Sequence, residues 1–335
     1  MNKILNEIAD ELLSCKDRSG SILLYPHIGV DGDGLGSALA LLLALRRSGL
    51  RVRLFLDEPI PDRLSFLPHL DLIEPYDSAA AMAIAVDQIL AVAIDCADGN
   101  RVGQRQDLFD RAPRTAVLDH HVSGGESGGL RLIDASAAAV GEIAFDLICL
   151  LEDKLQTTLM DSAIATLLMT AIISDTGGFV YSNTSARTFS TAASLMHHEV
   201  NLRQITYQLF DLTSQERMRL MGRLFTDARF SHQGRLALAL VDQELLEKYG
   251  ATDNDLEGII SHLRNVAGVE VAFLVREMKD GTLRVNIRSS DHFNAADFAR
   301  KFGGGGHPKA AGLQFSGMTI SEAVQTILDK AGEWL

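Results

Sequence analysis

Cysteine, long apolar runs and positive charge are all scarce in this chain, and each scarcity removes a class of protein. Only three cysteines occur among 335 residues. Cys15, Cys96 and Cys149 are odd in number, far apart and set in apolar or helical contexts. They exclude a disulfide framework or thiolate zinc site and fit buried free thiols in a reducing cytoplasm. No apolar run approaches a membrane span, since Ala38 to Leu45 stops at Arg46 and Arg47. The opening Met1-Asn2-Lys3-Ile4-Leu5-Asn6-Glu7 lacks the charged-then-apolar pattern of a signal peptide. Lysine and arginine total 31 against 44 acids, a net charge of -13. That balance argues against a broad basic face for long duplex nucleic acid, and leaves small anionic substrates open. Internal repeats and low-complexity tracts are absent as well.

What is present reads as a globular protein with hydrophobic residues at 47% and charged residues at 22%. The length suits two domains. Ile4, Leu5, Ile8, Leu12 and Leu13 recur at helical spacing over 3–14. Short apolar strands are expected at Ser21–Tyr25, Val52–Leu56, Leu90–Ile94 and Thr115–Leu118, with helices between several of them, one over Ser37–Arg47. Continuous apolar strands alternating with helices predict an α/β domain with a mostly parallel sheet covered on both faces. Helices are expected at Ala138–Leu155 and Asp161–Ile173, and Thr188–Phe225 reads as largely helical. From Leu236 the texture turns β-rich, with strands at 236–241, 269–275 and 283–288 and turn chemistry at Lys279-Asp280-Gly281-Thr282. Helices at 294–301 and 320–328 complete a smaller α+β domain. The expected division is 1–187, a helical linker over 188–232, and 233–335.

Acids and histidines gather in four segments: His27-Ile28-Gly29-Val30-Asp31-Gly32-Asp33, Asp95, Asp119-His120-His121 and Asp175. The first three directly follow expected strands, and ligands of open α/β sheets collect beyond the carboxyl ends of strands. Carboxylate oxygens mixed with imidazoles favour a hard divalent cation, Mn2+ or Mg2+, over a thiolate-bound ion. So many acids in one place would repel without cations between them. The reading is a two-metal hydrolytic centre.

Each segment also has a plainer explanation. The first is an Asp/Gly turn leading to a helix capped by Ser37, with Gly32, Gly34 and Gly36 giving the tight backbone. Asp95 alone is a turn cap; its value lies in a strand-end position from which one carboxylate can bridge ions about 3.5–4 Å apart. Asp119-His120-His121 is more specific: His120 can bind metal, Asp119 can orient an imidazole, and His121 is then left for a phosphate. Asp175 precedes Gly177-Gly178, a helix stop. Further on, Gly303-Gly304-Gly305-Gly306-His307-Pro308-Lys309 is a flexible loop or a phosphate cradle of exposed N–H groups and charge. Arg288 and Ser289 add a fork donor and a hydroxyl at a strand end.

This set of motifs is similar to the DHH phosphoesterase superfamily, and Arg288-Ser289 with Gly-Gly-Gly-His resembles its DHHA1 substrate-binding domain. The match spans nearly the whole chain and most resembles the stand-alone nanoRNA hydrolases, the oligoribonuclease/pAp-phosphatase proteins. The resemblance implies two Mn2+ ions, one held by His27, Asp31 and Asp95, the other by Asp33, Asp95, His120 and Asp175. It implies substrate contacts from His121, Arg288, Ser289, Gly304, Gly305, Gly306, His307 and Lys309, with Asp95, Asp119 and His121 at the chemistry. Two departures stand out: Val30 replaces a frequent proline, and Gly124, Gly125, Gly128 and Gly129 stand where relatives often carry asparagine.

The expected reaction is hydrolysis of a phosphodiester or phosphomonoester by a hydroxide that two ions activate. The basic, Gly-rich loop of the small domain would clamp the far end of the substrate, so the gap between domains would limit its length. Short RNA, linear dinucleotides such as pApA or pGpG, and 3'-phosphoadenosine 5'-phosphate fit that expectation. The rivals are an inorganic pyrophosphatase or polyphosphatase, a cyclic-dinucleotide phosphodiesterase, a longer single-strand exonuclease, and an inactive nucleotide-binding scaffold. No membrane partner is expected, and an apolar helical surface of the first domain is a candidate homodimer contact.

Overall fold

Strand β1 (Ser21–Pro26) is buried at every position, the burial of a strand flanked on both faces. The computed structural model describes residues 3–96, 99–121, 129–290 and 292–335; Gly124, Gly125 and Gly128 lie outside the described residues. The chain forms two compact units, Met1–Leu212 and Thr213–Leu335.

In the first unit, α1 (Lys3–Ser14) precedes β1, followed by α2 (Gly32–Arg47), β2 (Val52–Leu56) and a two-residue β3 (Glu74–Pro75). Next come α3 (Ala81–Asp87), β4 (Gln88–Ile94), α4 (Gln106–Asp110), β5 (Thr115–Asp119) and β6 (Leu130–Ile133). Helices α5 (Val140–Leu155), α6 (Ser162–Thr176), α7 (Ala186–Met196) and α8 (Leu202–Thr206) close the unit. The six strands pair in the order β3-β2-β1-β4-β5-β6, and every pairing is parallel. The order reverses between β1 and β4, which makes that crevice the switch point. One face of the sheet carries α1, α2, α5 and α6 over a core of Leu24, Leu39, Leu54, Val92, Leu118 and Ile172. The other carries a smaller core of Leu23, Tyr25, Phe55, Ala93, Phe109 and Val117.

The α2 helix corrects two sequence readings. It starts at Gly32 rather than Ser37, and Asp31 is its cap, accepting from the N–H groups of Asp33 and Gly34. Ser37 is buried inside the helix and donates to Asp33 Oδ1 at 3.1 Å. The glycines also act differently from a turn. A Cβ at Gly36 would stand 2.5 Å from the Leu167 carbonyl oxygen, and one at Gly32 would stand 2.6 Å from Ser174 Cβ. They let α2 press against α6. Every residue from Gly32 to Leu45 is buried, as befits a helix packed on all sides.

The helical stretch expected over 188–225 is interrupted. After α8 the chain makes one wide turn at Tyr207–Asp211, and α9 (Gln215–Thr226) belongs to the second unit. That unit continues with β7 (Arg229–Ser231), β8 (Leu236–Val241), α10 (Gln243–Tyr249), α11 (Ile259–Arg264), β9 (Val271–Glu277) and β10 (Leu283–Ser289). It ends with α12 (Ala295–Arg300), β11 (Gly305–His307), β12 (Ala310–Phe315) and α13 (Ile320–Gly332). Its strand order is β11-β12-β10-β9-β8-β7; β8 and β9 run parallel and the other pairs antiparallel. The glycine run expected as a loop is in part edge strand β11, paired with β12. A Cβ at Gly304 would meet the Gly312 carbonyl oxygen at 2.3 Å, and one at Gly306 the Ala310 oxygen at 2.5 Å. Close strand packing therefore accounts for those two glycines. Nothing lies within 4 Å of a Cβ at Gly305, which is exposed.

Candidate metal centre

Three strand ends deliver the site. His27 follows β1, Asp95 follows β4, and Asp119 closes β5 ahead of His120 and His121. Helix α2 adds Asp31 as its cap and Asp33 in its first turn. The last turn of α6 adds Asp175, and Gly177 in the left-handed region ends that helix. These side chains come together as three groups: His27, Asp31 and Asp95; Asp33, His120 and Asp175; and Asp95, Asp119, His120 and His121.

The distances suit ligands that share a cation better than a hydrogen-bonded cluster. His27 Nε2 stands 3.3 Å from Asp95 Oδ2 and 3.5 Å from Asp31 Oδ1. His120 Nε2 stands 3.2 Å from Asp175 Oδ2 and 3.8 Å from both Asp95 Oδ1 and Asp33 Oδ2. Ligand atoms about 2.1 Å from one ion lie roughly 3–3.5 Å apart. Four buried atoms, His27 Nε2, Asp95 Oδ1, Asp119 Oδ2 and His120 Nε2, make no hydrogen bond. Leaving such groups unpaired is costly, and divalent ions would satisfy them. The donor set therefore fits hard divalent cations.

Neighbouring backbone fixes the imidazoles. His27 Nδ1 contacts its own Ile28 carbonyl at 2.7 Å, and His120 Nδ1 contacts the Ala137 carbonyl at 3.3 Å. Donation there leaves each Nε2 as a lone pair facing the carboxylates. Asp119 orients His121: its Oδ1 accepts from His121 Nδ1 at 2.8 Å and from the N–H groups of His120 and His121. The His121 side chain remains 45% exposed, so its Nε2 is reachable from solvent.

Asp33 is anchored from another element. It accepts the Val140 N–H at 2.7 Å and the Gly141 N–H at 2.9 Å, capping α5, whose own N-cap residue Ala139 offers no side-chain cap. Asp95 sits at φ +55°, in the left-handed region that non-glycine residues seldom occupy outside functional positions. Its N–H donates to the Leu118 carbonyl at 2.9 Å.

Crowded carboxylates shift the titration of the cluster. Burial, then Asp95 and Asp175, push Asp33 well above the usual carboxylate range. Burial opposes charge on His27, yet Asp31 and Asp95 raise it to about 10. Asp119 and Asp95 hold His121 up to about 10. Without cations, protons neutralise the site; bound cations would displace them, so metal uptake is coupled to proton release.

Three contributors escaped the sequence reading. Arg105 is fully buried and bonds the Phe55 and Pro26 carbonyls at 2.8 and 2.9 Å, the latter one residue before His27. Asn183 Nδ2 donates to the carbonyls of Asp175 and Ala138, both at 3.0 Å. Arg187 pairs with Asp134 and Asp146 at 2.7 and 2.8 Å and lies 3.3 Å from Glu142. None belongs to a periodic pattern, so no sequence signal pointed to them.

The other expected site residues lie in the second unit. Arg288, half-buried at the end of β10, pairs in register with Ala310, and His307 faces Ala310 across the hairpin. His307, Lys309, Gly305 and Gly306 are exposed. Ser289 is buried, and its hydroxyl donates to the Pro308 carbonyl at 3.1 Å. It ties the strand to the hairpin.

A histidine–carboxylate centre at the switch point of an all-parallel sheet, followed by a small mixed sheet, defines a DHH-type phosphoesterase. The chain belongs to that family: residues 21–172 match the DHH family N-terminal domain and residues 235–335 match the DHHA1 domain. It is similar to the bifunctional oligoribonuclease and PAP phosphatase NrnA of Thermus thermophilus, 32% identical over 94% of this chain and 90% of that protein. The enzyme of the same name from Bacillus subtilis is 28% identical over 90% and 91% of the two chains. In fold it is similar to an exopolyphosphatase-related protein of Bacteroides fragilis, with a TM-score of 0.87, 23% identity and 99% of both chains covered.

Proposed function

We propose that the protein hydrolyses short oligoribonucleotides and linear dinucleotides such as pApA and pGpG to mononucleotides, and 3'-phosphoadenosine 5'-phosphate to AMP. The observation that carries this reading is Asp95, whose two oxygens face His27, His120 and His121 at 3.3–3.8 Å. One carboxylate shared between two donor groups is what a pair of bridged ions requires. We assign His27, Asp31 and Asp95 to one ion and Asp33, Asp95, His120 and Asp175 to the other, with Mn2+ first and Mg2+ second. Such ions supply Lewis acidity and lower the pKa of water at the scissile phosphate. The protein's own share is orientation. Asp119 fixes His121 so that Nε2 contacts a phosphoryl oxygen or gives a proton to the departing one. Arg288, Gly305, Gly306, His307 and Lys309 bind substrate phosphate, the glycines through backbone N–H groups.

The named activities of the Thermus and Bacillus relatives support the substrate class. No helix among the described residues is long and apolar enough to cross a membrane. The absence of disulfides among the cysteines supports a cytoplasmic location.

Side-by-side turnover of pApA, pGpG, an RNA ladder, 3'-phosphoadenosine 5'-phosphate and pyrophosphate with Mn2+ tests the reading. Release of mononucleotides from the shortest substrates at the highest kcat/KM is expected. Pyrophosphate as the preferred substrate overturns it. Arg288→Ala should raise KM for pApA about tenfold or more with kcat nearly unchanged, as loss of a charge-assisted hydrogen bond predicts. An unchanged KM removes Arg288 from the substrate site.

A further inference from the structure

The chain holds only five tyrosines and one tryptophan, yet aromatic rings crowd one loop beside the candidate centre. Starting two residues after Asp175, three consecutive residues adopt positive φ: Gly177 at 57°, Gly178 at 73° and Phe179 at 69°. The third is strained, because a phenylalanine seldom takes that conformation, and strain of this kind gathers at functional sites. Thr176 holds the turn in place. Its carbonyl accepts the N–H groups of both Val180 and Tyr181 at 2.9 Å, and its hydroxyl accepts that of Phe179 at 3.0 Å.

The turn folds the Tyr181 ring back over Gly177. A Cβ placed on Gly177 would strike Tyr181 Cζ at 2.3 Å and Cε1 at 2.4 Å. The outer part of the ring therefore lies across Gly177, two residues from Asp175. Tyr181 nevertheless remains 60% exposed and Val180 79% exposed. Phe189, 57% exposed, stacks on Phe179 with centroids 5.4 Å apart and planes 21° from parallel. Phe210 is in reach of a Cβ at Gly178, at 3.5 Å. Asn183, two residues beyond Tyr181, pins the segment to the Asp175 carbonyl. Planar apolar surface is thus held open to solvent within about one helical turn of a candidate metal ligand.

We propose that Tyr181 is a stacking platform for a nucleobase of the substrate, the base attached to the phosphate held at the candidate centre. The inference rests on the phosphoesterase reading and adds the surface that recognises the nucleoside. A planar base fits such a surface. Stacking is tolerant of base identity and contributes about 1–3 kcal/mol per base, which suits an enzyme that accepts several sequences. An apolar pairing face for a second copy would need no ring laid against Gly177 next to Asp175.

The test compares ligands with and without a base on the Mn2+-loaded protein. Titration calorimetry with AMP and with ribose 5-phosphate should show AMP binding about tenfold tighter or more to the wild type, as that stacking range implies. Tyr181→Ala should bring the two affinities together, and Tyr181→Phe should keep them apart. The preference for pApA over a dinucleotide lacking one base should fall in parallel. A ratio unaltered in Tyr181→Ala overturns the platform, as does equal weakening of both ligands. A change from dimer to monomer in that variant, read by light scattering, also overturns it by making the surface an interface. Absence of pApA turnover in the wild type would instead strike the phosphoesterase reading, and the affinity ratio reports on Tyr181 separately.

Discussion

Asp95→Asn should lower kcat/KM for pApA on the order of a thousandfold or more, the scale at which loss of several kcal/mol of metal-assisted stabilisation is felt. Among the described residues, Asp95 is the one carboxylate within 4 Å of His27, His120 and His121 together. Asparagine is the informative replacement because it tolerates the φ of +55° that this position requires. It also keeps a similar shape, so the Asp95 N–H to Leu118 bond survives. Two readouts follow. In the presence of chelator the variant should lose only the contacts of Asp95 with the protonated His27 and His121. With Mn2+ added, wild type should gain melting temperature through linkage, and the variant should gain much less. A variant that keeps wild-type turnover, or the full Mn2+-induced shift, contradicts a bridging role for Asp95.

The residues of this cluster could be singled out in the sequence because buried parallel strands leave a plain signature. Ser21–Pro26, Gln88–Ile94 and Thr115–Asp119 are apolar runs that end where a polar group abruptly appears. His27, Asp95 and Asp119 stand at those transitions, so topology alone aims them at one crevice. Asp175 was harder to place, yet the Gly177-Gly178 stop marked the end of its helix. What stayed hidden depends on long-range packing. Gly32 and Gly36 look like turn residues but relieve a helix–helix contact with α6. The run Gly303–Gly306 looks like a loop, while Gly304 and Gly306 accommodate a neighbouring strand. Ser289 reads as a ligand-binding hydroxyl, and its burial and its bond to the Pro308 carbonyl are invisible in the sequence. For these glycines the local pattern is visibly unusual, and its cause lies on another element.

Arg105 is the clearest case of a residue with no local signal and a large expected effect. Its guanidinium is fully buried in a core where such a group is rare. It lies 3.0 Å from Asp57 Oδ1 and donates to the carbonyl of Pro26, which closes β1, and to that of Phe55, one residue before the end of β2. Asp57 in turn accepts the Gln104 N–H at 2.9 Å. Burial lowers the pKa of Arg105, and the Asp57 charge works against that. Arg105→Met keeps an unbranched apolar stem but leaves the Asp57 carboxylate, only 6% exposed, without its cation. The Pro26 and Phe55 carbonyls also lose their donor. Breaking one side of a buried pair costs about 3–5 kcal/mol, so the first unit should melt roughly 6–20 °C lower. The double variant Arg105→Met with Asp57→Leu should recover part of that loss, because the stranded charge is removed with its partner. Activity should fall in the single variant even below its melting range, since the Pro26 carbonyl that Arg105 holds is the backbone from which His27 projects. Denaturant melts of the two variants, together with pApA turnover at low temperature, decide the matter. A single variant within about 1 kcal/mol of wild type would mean that the β1 and β2 carbonyls find other donors, and that Arg105 does not set the position of His27.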